Sequence, residues 1–189
     1  MKSAIRNHID QNLSFLKDKK VLIAISGGID SCVLTHVFHK LKYDISLAHC
    51  NFMLRGKESN KDEIFVKELG ERLQVPTYTI RFDTETFASK YGISTQMAAR
   101  DLRYNWFNQL TEENDIAYIL TAHQKDDVIE TFLINLTRGT GLDGLTGIPE
   151  VNGNIVRPML HFTRNEILIF ATKHKLQWRE DSSNSSIKY

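Results

Sequence analysis

The chain has 189 residues, of which 41% are hydrophobic and 25% are charged, and this composition is typical of an ordinary globular protein. Its formal net charge is only +1, which excludes a chain-wide basic surface for nucleic acid but leaves room for a local basic patch. The two cysteines, Cys32 and Cys50, form no CxxC pair, so a disulfide scaffold or a cysteine-rich metal site built from this chain alone is excluded. No signal peptide or membrane-spanning apolar run is legible, and a cytoplasmic location without membrane contact is expected.

Hydrophobic periodicity predicts strands and helices that alternate along most of the chain. The predicted strands cover about 20–25, 44–52, 76–82, 116–121 and 155–156. A short opening helix rests on the spacing of Ile5, Ile9, Leu13 and Leu16, and further helices are predicted at about 30–41, 58–74, 84–91, 94–113, 124–136 and 163–175. Nearly continuous apolar strands between helices predict an α/β fold, with a mostly parallel twisted sheet and helices on both faces. We expect one domain over 1–189, with a core at about 18–160 and a helical tail at about 161–189.

The stretch Ser-Gly-Gly-Ile-Asp-Ser lies where the first predicted strand passes into a helix. Gly27 and Gly28 allow positive φ and close approach of a ligand, and successive N–H groups at a helix start bind anions such as phosphate. Asp30 would repel a phosphate unless Mg²⁺ lies between them, so Asp30 is the predicted magnesium ligand. A tight turn that Asp30 caps is the alternative. The predicted phosphate-binding residues are Ser26, Gly27, Gly28, Ile29, Asp30 and Ser31.

This loop resembles the PP-loop of the ATP pyrophosphatase superfamily, whose members split ATP between the α and β phosphates, adenylate a substrate and let a nucleophile displace AMP. Five further motifs occur in a fixed order, and together they resemble the catalytic domain of the tRNA(Ile)-lysidine synthetases over roughly 20–184. The motifs are AHCNFMLRGKES (48–59), TQMAARDLRYNWF (95–107), AHQKDDVIETFLINLTRGTGLDGLTGI (122–148), VRPML (156–160) and REDSSN (179–184). The chain departs from the family pattern at Phe52 and Gln124, where many members have histidine.

The resemblance implies an adenine nucleotide alpha hydrolase-like fold and a ligase that uses ATP and Mg²⁺. Its implied substrates are free L-lysine and the tRNA(Ile) with a CAU anticodon. Lysine is joined to C2 of the wobble cytidine through an adenylated cytidine, which forms lysidine and releases AMP and pyrophosphate. The alternatives are another PP-loop enzyme, such as a tRNA thiolase or an amide-forming synthetase, and a nucleotide-binding module without catalysis.

Four charged residues are the candidate catalytic groups besides Asp30. Asp127 and Glu130 are three residues apart on a predicted helix, so their carboxylates share a face that would suit the lysine ammonium. His123, at a strand end, would orient phosphates or move a proton, since its ordinary pKa is near neutrality. Arg100 would stabilise charge on the α-phosphate or on the departing cytosine O2. The alternatives are a solvated acidic face, a structural histidine and an ordinary helix salt bridge.

Three other segments carry weaker signals. The resemblance places His49 and Asn51 beside the adenosine half of the nucleotide, while Arg55 would meet RNA phosphate or lie in solvent. A glycine-rich loop at 138–154 is expected to close over the activated base as a lid, or else to be a flexible connector. The lid candidates are Arg138, Gly139 and Gly141.

The last predicted feature is a basic tail. Between Arg157 and Arg179 the chain holds five lysine or arginine residues against one acid, a net of +4, which makes this stretch the best local candidate for RNA contact. The resemblance also implies that the C-terminal tRNA-binding domains of the family are absent, so we expect ATP binding with weak tRNA binding. The oligomeric state is open, with a homodimer as one candidate.

Overall fold

The structure is a computed structural model that describes residues 1–139 and 147–180. The helices of these residues are α1 (Lys2–Asn12), α2 (Ile29–Lys40), α3 (Lys57–Leu73), α4 (Thr84–Tyr91), α5 (Thr95–Glu113), α6 (Lys125–Thr137) and α7 (Arg164–Lys173), and a 3₁₀ turn at Ser14–Leu16 follows α1. The strands are β1 (Lys20–Ala24), β2 (Asp44–Asn51), β3 (Thr77–Arg81), β4 (Tyr118–Leu120), β5 (Val151–Asn152) and β6 (Ile155–Val156).

The six strands form one sheet in the order β3-β2-β1-β4-β6-β5. Every neighbouring pair is parallel except β5 and β6, which pair antiparallel. In β1, Val21 and Ile23 join the core that also holds α2 and α7, whereas Leu22 joins a second core with Phe107 and Leu110 of α5. Because successive side chains of a strand point to opposite faces, helices cover both sides of the sheet. The predicted α/β fold with a mostly parallel sheet is therefore confirmed.

The topology places a crevice in the middle of the sheet. From β1 the chain passes to β2 and β3 on one side, and it then crosses to β4 on the other side of β1. The helices that leave β1 and β4 thus diverge at the carboxyl ends of these two strands. In open α/β sheets this reversal of strand order is where ligands bind.

Two local features differ from the sequence prediction. The opening helix ends at Asn12, and Leu16 lies in the 3₁₀ turn that follows. Residues 151–156, predicted as the end of a loop and a single strand, form a hairpin in which Asn152 pairs with Ile155. Gly153 at its tip has a φ of 59°, which glycine adopts without strain.

Helix α6 stands out because none of its residues is buried. The predicted apolar face is present, but Phe132, Leu133 and Leu136 are 38%, 52% and 52% exposed. The helix is held at its start, where the backbone N–H of Lys125 donates to the carbonyl of Phe162 at 2.9 Å. In the described part of the chain, no helix is long and apolar enough to cross a membrane.

Candidate active site

A cleft of about 260 Å³ opens at the carboxyl ends of β1 and β4, where the topology predicts a ligand. It is lined by the loop after β1, the end of β2, one face of α5, and the segment that joins β4 to α6. Its charged and hydroxyl-bearing lining includes Ser26, Asp30, Ser31, Arg103, His123 and Asp127. Three predicted site segments, which lie far apart in the sequence, therefore meet in one cleft.

The loop after β1 has the geometry of an anion site. Gly27 takes a φ of 94°, and Gly28 is the N-cap of α2, with no side chain from residues 1–139 or 147–180 capping the helix. The first N–H groups of α2 are thus left for a ligand, and the helix dipole favours a negative charge there. Because Gly28 caps the helix, the alternative of a turn capped by Asp30 does not describe this structure.

Serine hydroxyls hold the loop in shape. The Ser31 hydroxyl donates to the carbonyl of Gly28 at 3.0 Å, and the N–H of Gly28 donates to Ser26 Oγ at 3.2 Å. The two serine hydroxyls are themselves 3.2 Å apart. The predicted phosphate-binding serines therefore also pre-organise the backbone, which reduces the ordering that a ligand must bring about.

Arg179 holds the loop after β1 in place through a backbone hydrogen bond, a role that the sequence did not indicate. Its backbone N–H donates to the carbonyl of Gly27 at 2.9 Å. Its guanidinium donates to Asp62 at 3.0 Å and to Glu58 at 2.6 Å, and the hydrogen bond to Asp62 raises the pKa of this arginine. The start of the REDSSN motif thus fixes the glycine turn; residues 181–184 of the motif lie outside the described residues.

Asp30 is a carboxylate in the cleft for which the described residues supply a hydrogen bond to only one of its two oxygens. Its Oδ2 accepts a hydrogen bond from Arg164 at 3.2 Å, while its Oδ1 is buried with no hydrogen-bond partner among the described residues. Burial raises the pKa of Asp30, nearby Asp127 and Asp126 raise it further, and Arg164 opposes them. A buried oxygen without a partner among neighbouring carboxylates fits a hard cation such as Mg²⁺.

Asp127 and Glu130 lie one helical turn apart at the start of α6, as predicted, but only Asp127 belongs to the described lining of the cleft. Asp127 Oδ2 accepts from the backbone N–H of Gln124 at 2.8 Å, and Gln124 Oε1 accepts from Asp126 N at 2.8 Å. This reciprocal capping box fixes the Asp127 carboxylate. It also explains why Gln124, at a position where many family members have histidine, is buried here. Glu130 is exposed.

His123 lines the cleft beside Asp127. Its Nδ1 is 2.9 Å from the Thr121 hydroxyl, which orients the ring. Burial lowers the pKa of His123, and Arg157 lowers it further, whereas Asp127 opposes them. His123 is therefore neutral near pH 7 and suits proton acceptance or hydrogen bonding rather than fixed positive charge.

Helix α5 presents a different arginine from the one predicted. Arg100 is exposed and stacks over the Tyr104 ring at 4.9 Å, and it is not among the described lining residues. Arg103, three residues on, lines the cleft and lies 5.2 Å from the centre of the Phe52 ring. The signal for Arg103 was available, since a helical period places Arg103 and Phe107 on one face.

The residues predicted at the adenosine side lie next to the cleft and are deeply buried. His49 Nδ1 donates to the carbonyl of Ile25 at 2.8 Å, and its Nε2 has no hydrogen-bond partner among the described residues. The Asn51 amide donates to Glu63 at 2.8 Å, so its polar groups are used inside the protein. Arg55 donates to Asp62 at 2.6 Å. Nucleotide or RNA contact by these residues stays a prediction.

Little of the expected lid is described. Arg138 is the C-cap of α6 and Gly139 follows it, while Gly141 lies outside the described residues. In the basic tail, Arg157 is 5% exposed and donates to the carbonyl of Pro149 at 2.7 Å. Together with the ion pairs of Arg164 and Arg179, this leaves the lysines of the tail as its RNA candidates.

Comparison with known proteins agrees with this geometry. The chain is 48% identical over 173 residues to a tRNA(Ile)-lysidine synthase of Porphyromonas gingivalis, covering 91% of this chain and 38% of that protein. It is 44% identical over 182 residues to the same enzyme of Bacteroides thetaiotaomicron, covering 96% of this chain and 43% of that protein. The chain thus spans about two fifths of the length of these curated relatives.

Among solved structures, a U34-tRNA thiolase from Methanococcus maripaludis superposes with a TM-score of 0.75 at 18% identity, covering 95% of this chain and 64% of that one. This likeness supports the fold. The relatives confirm the resemblance that the ordered motifs indicated. A family model described as the PP-loop domain matches residues 1–189, and the chain belongs to that family.

Proposed function

We propose that this chain carries the ATP-dependent chemistry of tRNA(Ile) lysidine formation. The observation that carries the proposal is the uncapped start of α2 beside Asp30, in the cleft where His123 and Asp127 converge. Relatives with this activity are 44–48% identical to the chain over most of its length. Since ATP and tRNA are the substrates, we also propose a cytoplasmic location.

In the first step, cytidine O2 attacks the α-phosphorus of ATP, the bond to the β-phosphate breaks, and pyrophosphate leaves. The N–H groups at the start of α2 would bind the departing diphosphate, with the dipole of α2 adding to the attraction. Asp30 would hold Mg²⁺, which supplies charge neutralisation for the phosphates. For this, Arg164 must leave Asp30, and its exposed side chain has the freedom to do so.

Positive charge near the α-phosphate would come from α5. Arg103 lines the cleft, and Arg100 lies one turn earlier on the same helix. We assign Arg103 to the phosphate or to the activated base, and retain Arg100 as a second candidate that could reach inward from its stack on Tyr104. His49, whose buried Nε2 has no hydrogen-bond partner among the described residues, remains a candidate for the adenosine side of the site.

In the second step, the lysine ε-amine attacks C2 of the adenylated cytidine, and AMP leaves with the oxygen that was O2. Asp127, which the capping box holds in place, would bind the ammonium of lysine, with Glu130 extending the site along α6. The ammonium must lose a proton before it attacks. Neutral His123 is placed in the same cleft to accept that proton.

The two cysteines favour this reaction over thiolation. Burial raises the pKa of Cys32 and of Cys50 to about 12, so neither thiol ionises near neutral pH. A thiolase would need a nucleophilic thiolate or a set of cysteines that binds a cluster. The described cleft provides neither, although Cys50 contributes to its wall.

The test is to incubate the chain with ATP, Mg²⁺, labelled lysine and a tRNA(Ile) transcript that bears the CAU anticodon. Mass analysis of digested nucleosides should show lysidine, and Cys50→Ala should form it at the rate of the unsubstituted chain. Asp127→Asn should raise the lysine KM at least about tenfold while leaving adenylation intact. Consumption of sulfide or ammonia in place of lysine would establish the alternative enzyme class.

A further inference from the structure

A cluster of two histidines and a glutamate lies outside the cleft. His8 of α1, Glu150 before β5 and His161 after β6 each offer one ligand atom, and these atoms lie within 4.8 Å of one another. His8 Nε2 is 2.5 Å from Glu150 Oε1, and His161 Nε2 is 3.6 Å from the same oxygen. None of the described residues that line the cleft belongs to this cluster.

His8 and Glu150, the two less exposed members of the cluster, are each held by further contacts. Arg157 donates its backbone N–H to the carbonyl of Glu150 at 2.9 Å and its guanidinium to the carbonyl of Pro149 at 2.7 Å, so the chain at Glu150 is pinned on both sides. His8 Nδ1 is 3.2 Å from the side-chain amide of Asn12. Outer contacts of this kind orient the ligands of metal sites and fix the histidine tautomer.

The donor set is that of a transition-metal site. Two imidazole nitrogens and one carboxylate oxygen suit Zn²⁺ and its neighbours, with bonds of about 2.0–2.2 Å. Such bonds place ligand atoms about 3.3 Å apart in a tetrahedral site, so the present separations need only small side-chain rotations. His161 is 63% exposed against 16% for His8, which gives an ion an entry path and His161 the freedom to rotate.

Binding at His8 Nε2 moves the ring proton to Nδ1. The Asn12 amide can then rotate by about 180° so that its oxygen accepts a hydrogen bond from the Nδ1–H group, because the oxygen and the NH₂ group occupy nearly the same space. Glu150 Oε1 would exchange its hydrogen bond from His8 for a bond to the ion. The protein thus supplies three ligands and a matching outer contact, and leaves a fourth position for water.

We propose that His8, Glu150 and His161 bind one divalent transition-metal ion of the Zn²⁺ class. The ion would join α1 to the segments that flank the β5–β6 hairpin, and it would add to the hydrogen bond between His8 and Glu150 and the ring contact between the two histidines. This site is separate from the proposed ligase chemistry and does not depend on it.

The test uses the untagged chain, freed of metal with EDTA, and titrates ZnCl₂ by calorimetry near pH 7.5. CoCl₂ then serves as a spectroscopic probe, because a tetrahedral Co²⁺ site absorbs strongly in the visible range. We expect one saturable site, and a rise in melting temperature with Zn²⁺ because the ion binds the native state alone. His161→Ala and Glu150→Gln should each weaken binding at least about tenfold and abolish the temperature rise.

His174→Ala is the matched control, since His174 is an exposed histidine outside the cluster, and it should bind Zn²⁺ as the unsubstituted chain does. Because His161 is exposed, His161→Ala should melt in EDTA within a few degrees of the unsubstituted chain. Zn²⁺ binding by this variant therefore tests the proposal even if Glu150→Gln does not fold. Absence of one-to-one binding, or equal binding by His161→Ala, would show the cluster to be a simple hydrogen-bonded contact and overturn the proposal.

Discussion

Replacing Asp30 by asparagine should stabilise the metal-free protein while removing its use of Mg-ATP. The carboxylate is buried on one side, where Oδ1 lacks a hydrogen-bond partner among the described residues, and Asp126 and Asp127 add repulsion. The amide keeps the shape of the side chain and removes its charge. Stability lost to a charged group that serves a ligand is a common feature of functional sites.

The magnitude follows from two opposing contributions. A buried polar atom without a hydrogen-bond partner costs about 1–3 kcal/mol, and more when it is charged, so the neutral amide removes only the extra cost of the charge. The partner that Asp30 does have, Arg164, is 52% exposed, and an exposed ion pair contributes about 0–1 kcal/mol. We therefore expect Asp30→Asn to raise the free energy of unfolding by about 1 kcal/mol, which corresponds to about 2–4 °C in melting temperature for a chain of this size.

The pH dependence has a definite sign. Burial raises the pKa of Asp30 in the folded state. The charged carboxylate therefore lowers the free energy of unfolding, and this loss is absent below the ordinary carboxyl pKa and complete above the raised pKa of the folded state. The stability difference between Asp30→Asn and the unsubstituted chain should thus be largest at pH 7.5 and shrink toward pH 4. Urea denaturation in EDTA at both pH values measures it.

Asp101→Asn, a substitution of an exposed carboxylate on α5, is the control and should change stability at neither pH. Adding Mg-ATP should stabilise the unsubstituted chain and Asp101→Asn, whereas Asp30→Asn should lose at least about tenfold in affinity. A less stable Asp30→Asn protein in EDTA would refute this reasoning, because Asp30 would then be a satisfied structural residue.

Four further substitutions test the fold and the loop. Gly27→Ala, at a φ of 94°, should lower the free energy of unfolding by about 1–2 kcal/mol in urea denaturation. Gly28→Ala, at a φ of −71°, should cost less, because only the N-cap preference for glycine over alanine is lost, and it should weaken Mg-ATP binding in a titration. Equal stability of the two variants would contradict this. Gly70→Ala places a Cβ 1.9 Å from Thr77 Oγ1 and should cost about 2–3 kcal/mol, with an unchanged melting temperature as the contrary result. Burial lowers the pKa of His36 to about 4, so the unfolded chain takes up a proton before the folded one does as the pH falls. Acidification from pH 7.5 to pH 5 should therefore destabilise the unsubstituted chain relative to His36→Gln by about 1 kcal/mol, a value reduced because the ring is partly exposed to solvent. Parallel profiles of stability against pH for the two proteins would exclude this.

Local signals in the sequence predicted the sheet and the loop. The strand around Leu22 and the glycine pair at Gly27 could be predicted from the local sequence, since an apolar run and a glycine with positive φ depend only on neighbouring residues. The cleft residues His123 and Asp127 could be placed because strand ends of a parallel sheet meet at one edge.

Contacts between distant segments could not be predicted in this way. Arg179 reaches Asp62 across 117 residues of chain, and only the fold brings its backbone under Gly27. Helix α6 shows the same limit, because periodicity gives an apolar face but cannot say whether another segment packs on it. The His8–Glu150 contact spans 142 residues and left no local pattern to read.

The central claim is that backbone amides at the start of α2 hold the departing diphosphate while Asp30 holds Mg²⁺. The most direct measurement is a crystal structure of the chain with Mg²⁺ and α,β-methylene-ATP, which cannot be cleaved at the reacting bond. We predict the β- and γ-phosphates on the N–H groups of residues 27–31, the ion on Asp30, and Arg164 moved away from it. A nucleotide bound elsewhere, with this loop empty and Asp30 still paired with Arg164, would contradict the claim.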